Sequence, residues 1–309
     1  MGMLPVRYQL LITAVITSAV CTAAPVDMTH SSSGAHTSAS MPAPAGTFRI
    51  VASFYPVYIT VRNIVKDVPG VSVTALTPAD TGCLHHYHLT PDDLVRLTHA
   101  DVLVINGAGM EPFLDMIARR LPELPVIDAS RGIRLIDGPR GPNPHVWVSP
   151  SLAISQTWTI AAGLARQDPA RAAAYRQNAA AYAGRLASLR ERMVMELQTV
   201  TNRAIVTFHN AFDYFARDCG LDVVAVVQPE ADAQPSAREM ARTIATIRAK
   251  GVNAIFAEPQ YPAGVADAIA RETAARVYIL DPAASGPPAD AAYIETMEQN
   301  LRTLREALH

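Results

Sequence analysis

The chain has 309 residues, and 26 Lys+Arg against 28 Asp+Glu leave a formal charge of −2. Half of it is hydrophobic and only 17% is charged, so it carries core material for two domains and does not read as a disordered chain. A near-neutral balance argues against a nucleic-acid binder, which needs a basic surface to release counterions.

Arg7 precedes an uncharged run from Tyr8 to Val26, with Leu10-Leu11-Ile12 and Val15-Ile16 at its apolar centre and small residues at Ala19, Ala23 and Ala24. That order predicts a secretory leader over residues 1–24, with a retained membrane anchor as the alternative. Cys21 sits where a lipoprotein cysteine would, although Ser18-Ala19-Val20 is a poor match to the usual preceding residues. Residues 25–46 are rich in Ser, Ala and Pro and read as a flexible tail. The mature protein is expected outside the cytoplasm, in the periplasm or at the cell surface. Three cysteines are too few for a disulfide scaffold or a Cys-based zinc module, although Cys83 and Cys219 could pair in an oxidising compartment.

Strands are predicted at Phe48–Ala52, Val71–Leu76, Val102–Asn106 and Val126–Ile127, with helices at Val57–Val65, Asp92–Thr98 and Pro112–Leu121 between them. In the second half, strands at Ala204–Phe208, Val223–Val227, Ala254–Ala257 and Val277–Leu280 alternate with helices at Ala211–Asp218, Ala237–Lys250, Pro262–Thr273 and Ala291–Leu308. Short apolar strands alternating with helices predict an α/β fold: two similar lobes, each a parallel sheet flanked by helices. The lobes are expected at 47–167 and 201–309. Between them, Pro169 to Val200 is dominated by Ala, Arg, Gln, Glu and Leu and interrupted only by Gly184. With Asp168 as cap and Pro169 at the first position, residues 168–200 predict one long rigid helix joining the lobes.

In open α/β sheets, ligands sit beyond the carboxyl ends of the strands. Five of the nine histidines fall on segments that can reach such positions: His85, His86 and His88 after the second strand, His145 in a proline-bracketed loop, and His209 directly after a strand. Glu258 and Asp281 follow two further strands directly. His30, His36, His99 and His309 read as ordinary surface residues. H-E-x-x-H, a P-loop and G-x-S-x-G are all absent from the sequence, and nothing orients Cys83 as a nucleophile. Gly107-Ala108-Gly109 is spoiled as a dinucleotide fingerprint by Met110-Glu111-Pro112.

Six stretches in order resemble the metal-binding receptors of ABC importers for zinc and manganese, the cluster A-I solute-binding proteins. They are His85-x-Tyr87-x-x-x-Pro91-x-Asp93, Asn106-Gly107-x-Gly109-x-Glu111-Pro112-Phe113-Leu114, Pro144-His145-x-Trp147-x-Ser149-Pro150, Phe208-His209-x-Ala211-Phe212-x-Tyr214-Phe215, Glu258-Pro259-Gln260 and Leu280-Asp281-Pro282. The resemblance implies one metal ion held between the lobes by His85, His145, His209 and Asp281, with Glu258 orienting an imidazole from behind. It also implies a monomeric receptor without catalytic activity, partnered by an ABC permease and its ATPase. Cys83-Leu84 stands where the family often has Asp-Pro, placing a soft sulfur near the site, and His86 and His88 are extra donors. Three imidazoles and one carboxylate suit zinc, with manganese as the alternative. A zinc hydrolase using Glu258 as base, or a metal-scavenging adhesin, are the competing readings from other classes.

Overall fold

The computed structural model describes residues 46–138, 141–228, 235–260 and 264–309. The leader, Cys21 and nearly all of the Ser/Ala/Pro-rich tail lie outside the described residues. Among the described residues no helix is long and apolar enough to cross a membrane.

The first lobe runs β1 (Phe48–Ala52), α1 (Tyr55–Ile64), β2 (Val71–Ala75), α2 (Pro91–Thr98), β3 (Val102–Ile105), α3 (Leu114–Arg120) and β4 (Val126–Asp128). A two-residue ladder, β5 (Asp137–Gly138) with β6 (Gly141–Pro142), leads into α4 (Pro150–Gln167). After α5 (Ala172–Leu197) the second lobe runs β7 (Ala204–Thr207), α6 (Asp213–Cys219), β8 (Asp222–Val226), α7 (Ala237–Lys250), β9 (Ala254–Ala257), α8 (Gly264–Arg271), β10 (Arg276–Ile279) and α9 (Ala292–Leu308). The sheets are ordered β2-β1-β3-β4 and β10-β9-β7-β8, parallel throughout. Read by chain order within each lobe the two sequences of strands coincide, so the lobes share one topology. In each, strand order reverses between the first and third strands, which opens a crevice at their carboxyl ends.

The central strands are apolar on both faces because both faces are covered: Val102 to Ile105 and Ala254 to Ala257 are buried without interruption. The long helix is shorter than the sequence suggests. Asp168 ends α4, Pro169–Arg171 form a single 3₁₀ turn, and α5 begins at Ala172. Its 26 residues span about 39 Å at ~1.5 Å per residue. Asp168 still organises the junction, accepting hydrogen bonds from Arg171 Nη1 (2.8 Å) and Tyr175 Oη (2.7 Å). Tyr175, Ala179, Tyr182, Leu186, Leu189, Met193 and Leu197 make one buried stripe along α5, spaced three or four apart so that all face the same side. Each such large side chain contributes roughly 1.5–3 kcal/mol on burial. That stripe belongs to a core continuous across both lobes; a smaller core lies wholly within the second lobe around Val206, Ile247 and Ile255. Alongside α5 packs α4, a helix the strand-and-helix alternation did not anticipate. Cys83 and Cys219 are both free thiols, so the disulfide left open by the sequence does not form.

Candidate metal centre

The loop after β2 carries His85, and three contacts fix its register. Tyr87 Oη donates to Asp93 Oδ2 at 2.8 Å, and Asp93 forms a capping box with Thr90 at the start of α2. Leu84 is fully buried and its amide lies 3.4 Å from Met110 Sδ. With Leu84 turned inward, His85 is partly buried while His86 and His88 are exposed.

His145 is built differently. Glu111 is buried at the end of β3 and accepts from Ser53 Oγ (2.8 Å), the Asn106 amide (2.7 Å) and the Gly107 amide (3.0 Å). Asn106, thus held, donates from Nδ2 to the Pro144 carbonyl at 2.9 Å and accepts from Gln156 Nε2. Gly107 and Gly109 have left-handed backbone (φ +79° and +85°), and a Cβ on Gly107 would lie 1.9 Å from Asp128 Oδ1. The Asn-Gly-x-Gly-x-Glu stretch is therefore a bracket for the His145 loop. Burial raises the Glu111 carboxyl to about 7, against the lowering effect of its three donors.

His145 itself is fully buried, and Asn143 sets its chemistry. The Asn143 Nδ2 donates to the Asn210 carbonyl (2.8 Å) and to Asp213 Oδ2 (2.9 Å), so its Oδ1 faces His145 and accepts from both the amide (3.0 Å) and Nδ1 (2.8 Å). A proton fixed on Nδ1 leaves Nε2 with its lone pair, the form a metal ligand needs. Burial, then the neighbouring His209 and His85, hold the His145 imidazole well below its usual pKa. Its Nε2 lies 3.2 Å from His85 Nε2. Two imidazole nitrogens bound to one tetrahedral zinc would be about 3.3 Å apart.

From the second lobe, β7 delivers His209 two residues past its end, buried, with its ring centroid 4.5 Å from that of His145 and 5.9 Å from that of His85. Glu258 follows β9, is buried, and sets Oε1 3.3 Å from His209 Nδ1. Thus His209 and Glu258 occupy the two strand ends that flank the crevice of the second sheet. Asp281 follows β10 by two residues; its Oδ1 accepts from the Ala283 amide at 2.8 Å and its own amide donates to Asn300 Oδ1. Burial first, and then the Glu258 carboxylate, raise the Asp281 carboxyl above its ordinary value. Among the described residues, the donors that all lie within 4.8 Å of one another are Cys83, His85 and His145. His209 abuts this group through its ring, and Asp281 stands outside it.

The two halves of the centre are tied together. Trp147 Nε1 donates to the Pro282 carbonyl (2.8 Å), Tyr293 Oη to the Trp147 carbonyl (2.7 Å) and Tyr214 Oη to the Asn143 carbonyl (2.7 Å). Each bond joins the His145 segment to the second lobe. A cleft of about 310 Å³ reaches the centre past Thr81, Cys83, His85, Glu258 and Gln260. The exposed His86 and His88 line a neighbouring cleft of about 440 Å³ with Phe113 and Met116. Sequence reasoning gave no role to Asn143, Asp213 or Trp147. A signal was available for the first, since an amide two residues before a ligand histidine can reach its Nδ1.

The family described as ZnuA, zinc-uptake complex component A, periplasmic, matches residues 50–307. The chain belongs to this family. It is 27% identical over 280 residues to the high-affinity zinc uptake system protein ZnuA of Bacillus subtilis strain 168, covering 84% of this chain and 87% of that protein. It is 28% identical over 282 residues to the zinc-binding lipoprotein AdcA of Streptococcus pneumoniae strain R6, of whose length it spans 56% against 84% of its own. Among solved structures, the solute-binding protein FpvC from Pseudomonas aeruginosa, in complex with Mn2+, superposes with a TM-score of 0.77 at 36% identity, over 85% of this chain and 98% of that one. The family is one of transport solute-binding proteins, and the two-lobed α/β architecture is its fold.

Proposed function

We propose that this protein is an extracytoplasmic receptor that captures one divalent metal ion, zinc before manganese, between its lobes and delivers it to an ABC permease with its ATPase. The observation that carries the reading is the approach of three imidazoles from distant parts of the chain, with His85 and His145 from the first lobe and His209 from the second. Asp281, at the end of β10, completes the set as the carboxylate. Zinc is favoured because imidazole nitrogens outnumber hard oxygens, whereas manganese prefers oxygen donors and a larger shell. The zinc named for the ZnuA and AdcA relatives supports this choice, and the Mn2+ complex of FpvC keeps manganese as the alternative.

Capture needs no bond-making beyond coordination. Asn143 holds the His145 lone pair toward the ion, and the buried Glu258 carboxylate beside His209 offsets positive charge that one Asp leaves uncompensated. The hydrogen bonds from Trp147, Tyr293 and Tyr214 across the lobes, together with α5, restrict loading and release to small tilts and loop shifts. The protein works as a monomer, exported by its leader and either free or anchored through Cys21.

Metal analysis of purified, dialysed protein beside a His209→Ala variant tests the reading. One equivalent of zinc in the parent, lost in the variant, is expected. Zinc retained in full by His209→Ala places the ion elsewhere and refutes the site.

A further inference from the structure

The three donors gathered within 4.8 Å are not the three imidazoles but Cys83, His85 and His145. The sulfur reaches this position because Leu84 is buried and pins the loop, so that residues 83 and 85 flank one inward side chain. Sulfur at about 2.3 Å and nitrogen at about 2.0–2.1 Å from one ion can be at most about 4.4 Å apart, and about 3.6 Å when tetrahedral. A mutual limit of 4.8 Å therefore needs only a small side-chain adjustment to place all three on one centre. A second observation points to the same spot. Glu258 is buried with its Oε1 3.3 Å from His209 Nδ1, and it lines the same cleft as Cys83 and His85. A buried carboxylate so placed compensates a cation in that cleft.

We propose that Cys83 Sγ is a ligand of the captured ion, joining His85, His145 and His209, and that it biases the receptor toward soft, thiol-seeking divalent ions and away from manganese. This rests on the metal-receptor reading above and adds a donor to it. When the ion binds, a sulfur–metal bond forms, the S–H bond breaks, and the proton leaves to solvent; no electrons are exchanged. The ion then sees one thiolate beside the neutral imidazoles and the Asp281 carboxylate, a set that suits zinc or cadmium and is poorer for manganese. Asp281 remains the donor for ions that demand oxygen, which is how one site can serve both kinds at unequal affinity.

Cobalt(II) is the probe, because its visible d–d bands report binding and a separate near-ultraviolet charge-transfer band reports a thiolate ligand. Full-length mature protein, reduced and kept free of oxygen, is titrated with cobalt(II) beside Cys83→Ser. The parent is expected to show both bands, and the variant only the visible ones. In competition, Cys83→Ser should lower the preference for cadmium over manganese by about tenfold or more. Visible bands in the parent without the thiolate band overturn the sulfur ligand while leaving the receptor reading intact. A thiolate band that survives in Cys83→Ser assigns it to another cysteine and overturns the proposal as well. If cobalt produces neither band, the metal centre itself falls, and this proposal with it.

Discussion

Replacing Asn143 by Ala isolates the contribution of a residue that would never touch the ion. The change removes two donors, to Asn210 O and Asp213 Oδ2, and the acceptor of two His145 hydrogens, at distances of 2.8–3.0 Å. His145 is fully buried, so its amide and Nδ1 lose their partner where water does not readily replace it. At about 0.5–1.5 kcal/mol net for each of these four hydrogen bonds, the metal-free protein should lose roughly 2–6 kcal/mol. For the ion, loss of the group that orients a ligand imidazole costs about 10–100-fold in affinity, or about 1.4–2.7 kcal/mol. Asn143→Asp separates the two effects. It keeps an acceptor for His145 Nδ1 but loses the donor to Asp213 and sets two carboxylates together, so stability should fall while affinity holds. Chelator-competition titration and urea unfolding of the parent and both variants give the two quantities. Asn143→Ala with undiminished zinc affinity would refute the claim that this amide prepares His145 for coordination.

Trp147→Phe leaves the Pro282 carbonyl without its 2.8 Å donor, costing about 1–3 kcal/mol and lowering Tm by about 2–4 °C for each of them; zinc affinity should also fall, because Asp281 precedes that carbonyl. Gly107→Ala drives a Cβ to 1.9 Å from Asp128 Oδ1 on a left-handed backbone, so thermal unfolding should report a loss of about 2–4 kcal/mol. His145 stays neutral in the folded chain below the pH at which it titrates when unfolded. Between those values the unfolded chain binds more protons, so this contribution is present above about pH 6.5 and is lost as pH falls below it. Glu111 acts in the opposite sense: raised to about 7, it removes stability as pH climbs through that value. The His145 effect is therefore read as the difference between the parent and His145→Gln in metal-free urea unfolding from pH 8 to 5, and a pH-independent difference would contradict it. Zinc affinity should fall across the same acid range, because imidazoles must be unprotonated to bind; isothermal titration at pH 7.5 and 5.5 checks this.

How much of the protein was readable depends on the range of the interaction concerned. Short runs of branched apolar residues flanked by polar ones state a buried parallel strand locally, and β1 and β9 begin and end where the sequence places them. Patterning failed where a signal was local but ambiguous. Asp168-Pro169 reads as a helix start, yet Asp168 closes α4 and its carboxylate serves Arg171 and Tyr175. Residues 150–167 carry only a weak apolar stripe, yet they form α4, which packs against α5, α1 and β4.

The amino-acid order alone determined the alternation of strands and helices, the repeat of that pattern in two halves, and which strands end in a histidine or a carboxylate. Those are consequences of hydrophobic periodicity and of side chains one or two residues beyond a strand, and both act over a few residues. Tertiary structure alone decided that His85 meets His145, that Trp147 reaches Pro282, and that Cys83 Sγ comes within 4.8 Å of donor nitrogens on both histidines. Hydrogen bonds and coordination act over about 3 Å. Which atoms come that close across 60 to 135 residues of chain is settled only when both sheets, their loops and α5 have packed.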